Sequence, residues 1–168
     1  MEEWFDVVDA SDNVVGRRPR SEVHRLNILH RAAHILVFNR AGQLFLQKRS
    51  ERKDNSPGLW DSSAAGHLEA GEDYRTAARR ELQEELGVTT DPILETLFKI
   101  DACAESEHEF AWVYRCVAEG PFVLDPQEID DGRWLTPEQI NAWLASEPDE
   151  LAPTFRLIWR RMIEAGHL

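Results

Sequence analysis

Apolar positions recur four residues apart at Ala78, Leu82 and Leu86, which at about 3.6 residues per turn is one face of a helix. Asp73 in front offers an N-cap and Gly87 behind offers a C-cap, so the pattern predicts a helix over 73–86. A second stripe, Phe155, Ile158, Trp159 and Met162, predicts a closing helix over 153–165 whose aromatic face reads as core. Thr136-Pro137-Glu138-Gln139 is a capping box with proline in the first helical position, and it opens a helix through Leu144. Between the helices, runs of β-branched and aromatic residues predict strands at 4–8, from 14–15, at 32–39, 44–48, 93–100 and 109–117, near 122–124, and at 133–135. Ser11-Asp12-Asn13 reads as a turn and Ala41-Gly42 as a hairpin turn. Alternation within 44–48 sends Leu44, Leu46 and Lys48 to one face and Phe45 and Gln47 to the other. Strands flanked by helices indicate an α/β sandwich, and 168 residues suffice for a single domain, with a β-hairpin extension over residues 1–27.

Composition changes this picture little: 42% hydrophobic and 30% charged residues are ordinary for a globular chain. The formal net charge of −12 argues against a general nucleic-acid or anionic-membrane binder. It also means that an anionic substrate needs local positive charge to approach. Arg17, Arg18 and Arg20 supply one basic group, with a solvated loop as the plain alternative, and Lys48, Arg49, Arg52 and Lys53 supply another. Cys103 and Cys116, without zinc-type spacing, are expected to be reduced core or strand residues of a cytoplasmic protein. MEEWFDVVDA lacks an apolar leader core, and no apolar run is long enough to span a membrane.

The chemistry concentrates in GHLEAGEDYRTAARRELQEELGV, residues 66–88. On the predicted helix Glu81 stands three and four residues before Glu84 and Glu85, so three carboxylates share one narrow face. Like charges at those spacings repel, and a hard divalent cation with oxygen ligands is their natural neutraliser. Arg80, one turn before Glu84, can clamp a carboxylate. The small residues Ser62 to Gly66 would let a backbone approach a metal or phosphate closely.

This stretch resembles the Nudix box, G-x5-E-x7-R-E-U-x-E-E-x-G-U with U a bulky aliphatic. Gly66, Glu72, Arg80, Glu81, Leu82, Glu84, Glu85, Gly87 and Val88 fill its fixed positions. The resemblance implies the Nudix fold, a mixed sheet between helices (α/β/α). It also implies Mg²⁺, or Mn²⁺, held by Glu81, Glu84 and Glu85 with the Gly66 carbonyl as a further ligand, and Arg80 beside them. Glu72 is then expected to orient the turn. Relatives differ in which glutamate takes the water's proton, and Glu81, Glu84, Glu128 and the pair Glu107 and Glu109 stay open.

A second resemblance covers most of residues 1–145. VFNRAGQLFLQKRSERKDNSPGLW followed by DSSAAGH is similar to isopentenyl-diphosphate isomerase, a Nudix-fold enzyme that isomerises rather than hydrolyses. By that likeness His24, His30, His67, Glu107 and Glu109 would form a second metal site, and Arg20, Arg49 and Lys53 would grip a diphosphate. The isomerase cysteine is replaced here by Ala65, which cannot move a proton. Trp60 and Phe110 read either as walls for an organic group or as core. The combined expectation is a Nudix hydrolase that cleaves a diphosphate linkage in a nucleoside diphosphate derivative or other organic diphosphate by water attack at phosphorus. Its partner is that small molecule, and a homodimer is left open. The alternatives are an isomerase without its cysteine and a catalytically silent diphosphate sensor.

Overall fold

A computed structural model describes residues 1–168. Its central strand shows why the chain folds into layers. After the N-terminal strands β1 (Trp4–Val8) and β2 (Val14–Pro19) and the short helix α1 (Arg20–Leu26) comes β3 (His30–Phe38). Alternate residues of β3 serve two separate cores. Ala32, Leu36 and Phe38 pack with Phe155, Ile158, Trp159 and Met162 of the closing helix. Ala33, Ile35 and Val37 pack with Ala77, Ala78, Leu82 and Leu86 of the box helix. The helices are therefore α2 (Tyr74–Leu86) on one face and α4 (Pro153–Glu164) on the other, with α3 (Pro137–Ser146) beside α4. This is the expected α/β/α sandwich.

The remaining strands are β4 (Leu44–Arg49), β5 (Trp60–Asp61), β6 (Ala64–His67), β7 (Glu95–Ile100), β8 (Glu109–Val117) and β9 (Ile129–Leu135). The sheet runs β5-β4-β3-β8-β7, with β6 also on β3 and β9 also on β4, and β3 and β8 are parallel. β3 and β4 form the predicted hairpin, but they share only the Phe38–Leu44 rung. Beyond it they part. β4 then pairs with β9 and β5, and β3 takes β6. That parting carries the Gly66 turn to the foot of α2.

Five expectations need correction. Residues 122–124 are not a strand: the Val123 and Asp125 amides donate to the carbonyls of Leu86 and Glu85, so the segment binds the end of α2. The strand expected at 133–135 begins at Ile129. Residues 20–26 form a helix that the hydrophobic pattern does not signal, because only Val23 is buried. Arg20 opens that helix, and Arg17 and Arg18 lie on β2 rather than in a loop. Cys116 is buried, but Cys103 is exposed outside any strand.

The N-terminal hairpin clasps the box turn. The Trp4 carbonyl accepts from Ala70 N–H at 2.8 Å, and Asp6 accepts from Gly71 N–H at 2.7 Å. At its tip Asp12 accepts from Arg31 Nε at 2.6 Å, from the Tyr74 hydroxyl at 2.9 Å and from Lys99. Phe5, Val7 and Val23 form a small core of their own.

Candidate active site

The helix α2 is fixed at both ends. The Asp73 side chain accepts from Thr76 N–H at 2.9 Å, and Gly87 closes the helix at φ 66°, a left-handed backbone that suits glycine. Its acidic face meets β6 at Gly66, where a methyl group in place of hydrogen would overlap the Glu81 carboxylate. Arg80 orders the acids around this contact. Its Nε and Nη2 grip Glu72 at 3.0 and 2.9 Å, and Nη2 also donates to the His67 carbonyl at 2.9 Å. Its Nη1 reaches Glu81 at 2.6 Å and Glu84 at 3.1 Å. Glu72 in turn accepts from Glu69 N–H at 3.0 Å, which holds the turn.

The three box acids differ in environment. Glu81 is 8% and Glu85 3% exposed, whereas Glu84 stands at the solvent rim. Glu85 receives Gln47 Nε2 at 2.7 Å and Ala65 N–H at 3.1 Å, both on Oε2. Its Oε1 and the Glu81 Oε2 take no hydrogen bond within the chain. Burial, followed by the neighbouring Glu81 charge, pushes the Glu85 carboxyl upward. Burial likewise raises Glu81 against the pull of Arg80. Two acids packed together, each with an unshared oxygen, make a fitting seat for a divalent cation with oxygen ligands. They line a cavity of about 120 Å³ with Arg20, Lys53, Gly66, His67, Arg80, Glu84, Asp125 and Glu128. Asp125 escapes sequence reasoning, since only its backbone bond to the Glu85 carbonyl brings it there.

Beside this cavity the imidazoles of His24, His30 and His67 each offer a nitrogen within 4.8 Å of the others. His30 Nδ1 lies 2.8 Å from the Ile28 carbonyl and donates to it, so the lone pair of the neutral ring falls on Nε2. Burial lowers this imidazole, but the adjacent Glu109 outweighs it and raises the group. That Nε2 and the Nε2 of His24 are buried without a hydrogen-bond partner. Glu109 Oε1 bonds His67 Nε2 at 2.8 Å and lies 3.2 Å from His30 Nε2 outside hydrogen-bonding geometry. Burial would raise the Glu109 carboxyl, but His67 and His30 outweigh it and hold the group well below the usual range. Burial and the other two imidazoles push His24 down to about 4, so it is a neutral base at ordinary pH. The donor set fits a transition-type or similar divalent ion. Four of the five residues expected from the isomerase likeness thus come together. Glu107 lines an adjoining smaller cavity together with His67 and Glu109, and it accepts from Ser56 Oγ at 3.2 Å.

The basic residues arrive with partners. Arg20 bonds Asp54 at 3.2 Å, Arg49 bonds Asp61 at 3.3 Å, and Lys53 pairs with Glu128. Arg20 Nε is nonetheless buried with no hydrogen bond. Arg20 and Lys53 line both cavities, and Arg49 lines the smaller one. Trp60 and Phe110 are core rather than walls: both are buried and neither lines either of these two cavities.

Comparison with known proteins matches the model of the NUDIX domain to residues 28–156. An uncharacterized Nudix hydrolase of Yersinia pestis is 38% identical over 143 residues, 83% of this chain and 76% of that protein. An isopentenyl-diphosphate Delta-isomerase of Serratia proteamaculans is 33% identical over 163 residues, 95% and 91% of the two chains. A crystal structure of a Deinococcus radiodurans protein superposes with TM-score 0.76 at 31% identity, covering 86% of this chain and 90% of that one. Likeness of this extent, on a fold that delivers the acids of α2 to Gly66, places the chain in the Nudix family of hydrolases, which cleave phosphoanhydride bonds.

Proposed function

We propose that this Nudix hydrolase cleaves the diphosphate linkage of a nucleoside diphosphate derivative or other organic diphosphate, with Mg²⁺ or Mn²⁺ as its cofactor. One observation carries the reading: Glu81 and Glu85 are buried together against Gly66 with an oxygen of each left unpaired. Glu81, Glu85 and the Gly66 carbonyl would hold the ion, with Glu84 at the rim. Such an ion, when bound, would supply neutralisation of phosphate charge and a more acidic water. The chain's own groups do the rest. Arg80 fixes the Glu81 and Glu84 carboxylates. Arg20 and Lys53, at the junction of the two cavities, exchange Asp54 and Glu128 for phosphate oxygens. Water attacks phosphorus, the bridging oxygen leaves with the bonding electrons, and Glu84, open on Oε1, is placed to accept the water's proton. His24, His30, His67 and Glu109 would hold a second ion beside the diphosphate.

The extended likeness to an isomerase supports a second reading, but Ala65 offers no proton at the position of the isomerase cysteine. A panel of organic diphosphates, incubated with Mg²⁺ or Mn²⁺ in ¹⁸O-water and read by mass, decides between them. Hydrolysis places ¹⁸O in a phosphate product. Allylic isomer from isopentenyl diphosphate without phosphate release, or no turnover of any member, would sink the hydrolytic reading.

A further inference from the structure

The smaller cavity lies on the α4 side of the sheet and adjoins the larger one through Arg20, Lys53, Ala65, Gly66 and His67. Its volume is about 50 Å³, a few times what a single water needs. The only apolar groups on its wall are the methyls of Ala32, Ala65 and Ala152. Every other lining group is polar or glycine, which is no surface for an isoprenyl tail.

The site already described makes no use of His34. It sits on β3 directly across the strand pair from Ala65 and is 5% exposed. Nδ1 lies 3.0 Å from the buried Ser62 hydroxyl, which fixes the ring and turns Nε2 to the cavity. Nε2 has no partner within the chain, and it is not among the nitrogens sealed from solvent. Among the other lining groups, the Asn55 side-chain amide is also unengaged, and Glu107 uses one oxygen on Ser56. The charged groups on this wall are largely neutralised among themselves, as Arg49 is by Asp61.

We propose that this cavity is a subsite for one neutral, hydrogen-bonding substituent of the organic group on the diphosphate, a hydroxyl or an amide edge, with His34 Nε2 as the residue that recognises it. The assignment rests on the hydrolase reading above and adds a substrate class to it: polar organic diphosphates, not isoprenyl ones. A subsite built to hydrogen-bond a polar group rejects an analogue that lacks it, because its own polar atoms are then left unpaired.

The test compares kcat/KM for cytidine diphosphate, ribose 5-diphosphate and geranyl diphosphate. Wild type should favour the better of the two polar compounds over geranyl diphosphate by at least about 30-fold. Cytidine diphosphate ahead of ribose 5-diphosphate assigns the substituent to the base edge, and equality assigns it to the sugar hydroxyls. His34→Leu should cut the preference over geranyl diphosphate by about tenfold or more, and His34→Gln should restore much of it. Where the leucine variant fails to fold, the imidazole ¹⁵N resonance of His34 in wild type serves instead, titrated with the methylene analogue of cytidine diphosphate. Movement of that resonance supports the subsite. Equal use of geranyl diphosphate, an unchanged preference in folded His34→Leu, or a still resonance with bound analogue overturns it and leaves hydrolysis standing. Turnover of none of the three, and of no other diphosphate, defeats the hydrolase reading and takes the subsite with it.

Discussion

The tip of the N-terminal hairpin and the acidic face of α2 each bury carboxylate, and the chain treats them in opposite ways. Asp12 receives Arg31, Lys99 and Tyr74, and these partners outweigh burial and hold its carboxyl below the ordinary value. Glu85 receives only two neutral donors on one oxygen, beside a second buried acid, and burial pushes it up. A buried acid that is fully matched fixes structure. A buried pair that is under-matched leaves the chain short of positive charge, and a ligand must bring it. Asp12 therefore reads as a latch and Glu85 as a seat.

The largest consequence concerns turnover. Glu85→Gln keeps shape and an acceptor for Gln47 and Ala65 N–H, but removes the charge. Hydrolysis of any accepted diphosphate should fall by at least about two orders of magnitude. The metal-free protein should hold its stability or gain roughly 1 kcal/mol by urea melts, since a buried, poorly matched charge is gone. Glu84→Gln should lower turnover by at least about two orders of magnitude with little change in fold. Turnover that survives either change would remove that residue from the machinery.

Asp12→Asn should behave in reverse. It leaves two cations short of their carboxylate, so the melt should shift by about 3 kcal/mol toward instability. Turnover at a temperature where the variant is folded should fall far less than in Glu85→Gln. A stability loss below about 0.5 kcal/mol would show that the latch is an ordinary surface contact.

These two sites also mark what the sequence makes legible. The acids of α2 lie within five residues of one another and on one helical face, so periodicity alone groups them, and Gly66 follows from the motif. The partners of Asp12 come from 19, 62 and 87 residues away, and no local pattern announces them. Asp125 is equally silent, reaching the site through backbone bonding that also makes residues 122–124 a brace rather than the strand their apolar character implies. The likeness to isomerases names His24, His30, His67 and Glu109, which the fold gathers together, and Glu107, which the fold puts on the adjoining cavity with His67 and Glu109. Trp60 and Phe110 were ambiguous by composition, and packing alone assigns them to the core.

Metal addition sharpens the contrast at a smaller scale. Mg²⁺ or Mn²⁺ at about one hundred times its dissociation constant should stabilise the wild type by roughly 2.7 kcal/mol, since the folded seat binds it and the unfolded chain does not. Calorimetry should show the same gain in Asp12→Asn and a much smaller one in Glu85→Gln. An equal gain in all three proteins would place the ion elsewhere, with the imidazoles of His24, His30 and His67 as the site to examine next.

The smallest effect is the dependence of the latch on pH. Asp12 in the folded chain titrates below its ordinary value of 3.8. Above that value both folded and unfolded chains carry the charge, and the latch contributes in full. As pH falls through 3.8 the unfolded chain takes up a proton first, and the contribution is lost as pH drops further through the folded value. The stability gap between wild type and Asp12→Asn should therefore be constant well above 3.8 and should narrow as pH falls below it. Urea melts of both proteins across that range read it directly. Other acids titrate in the same window, but they are common to both chains and cancel in the difference. A gap that stays open at the acidic end would mean that Arg31 and Lys99 are not what lowers Asp12, and the hairpin would then be held by the apolar packing of Phe5, Val7 and Val23 instead.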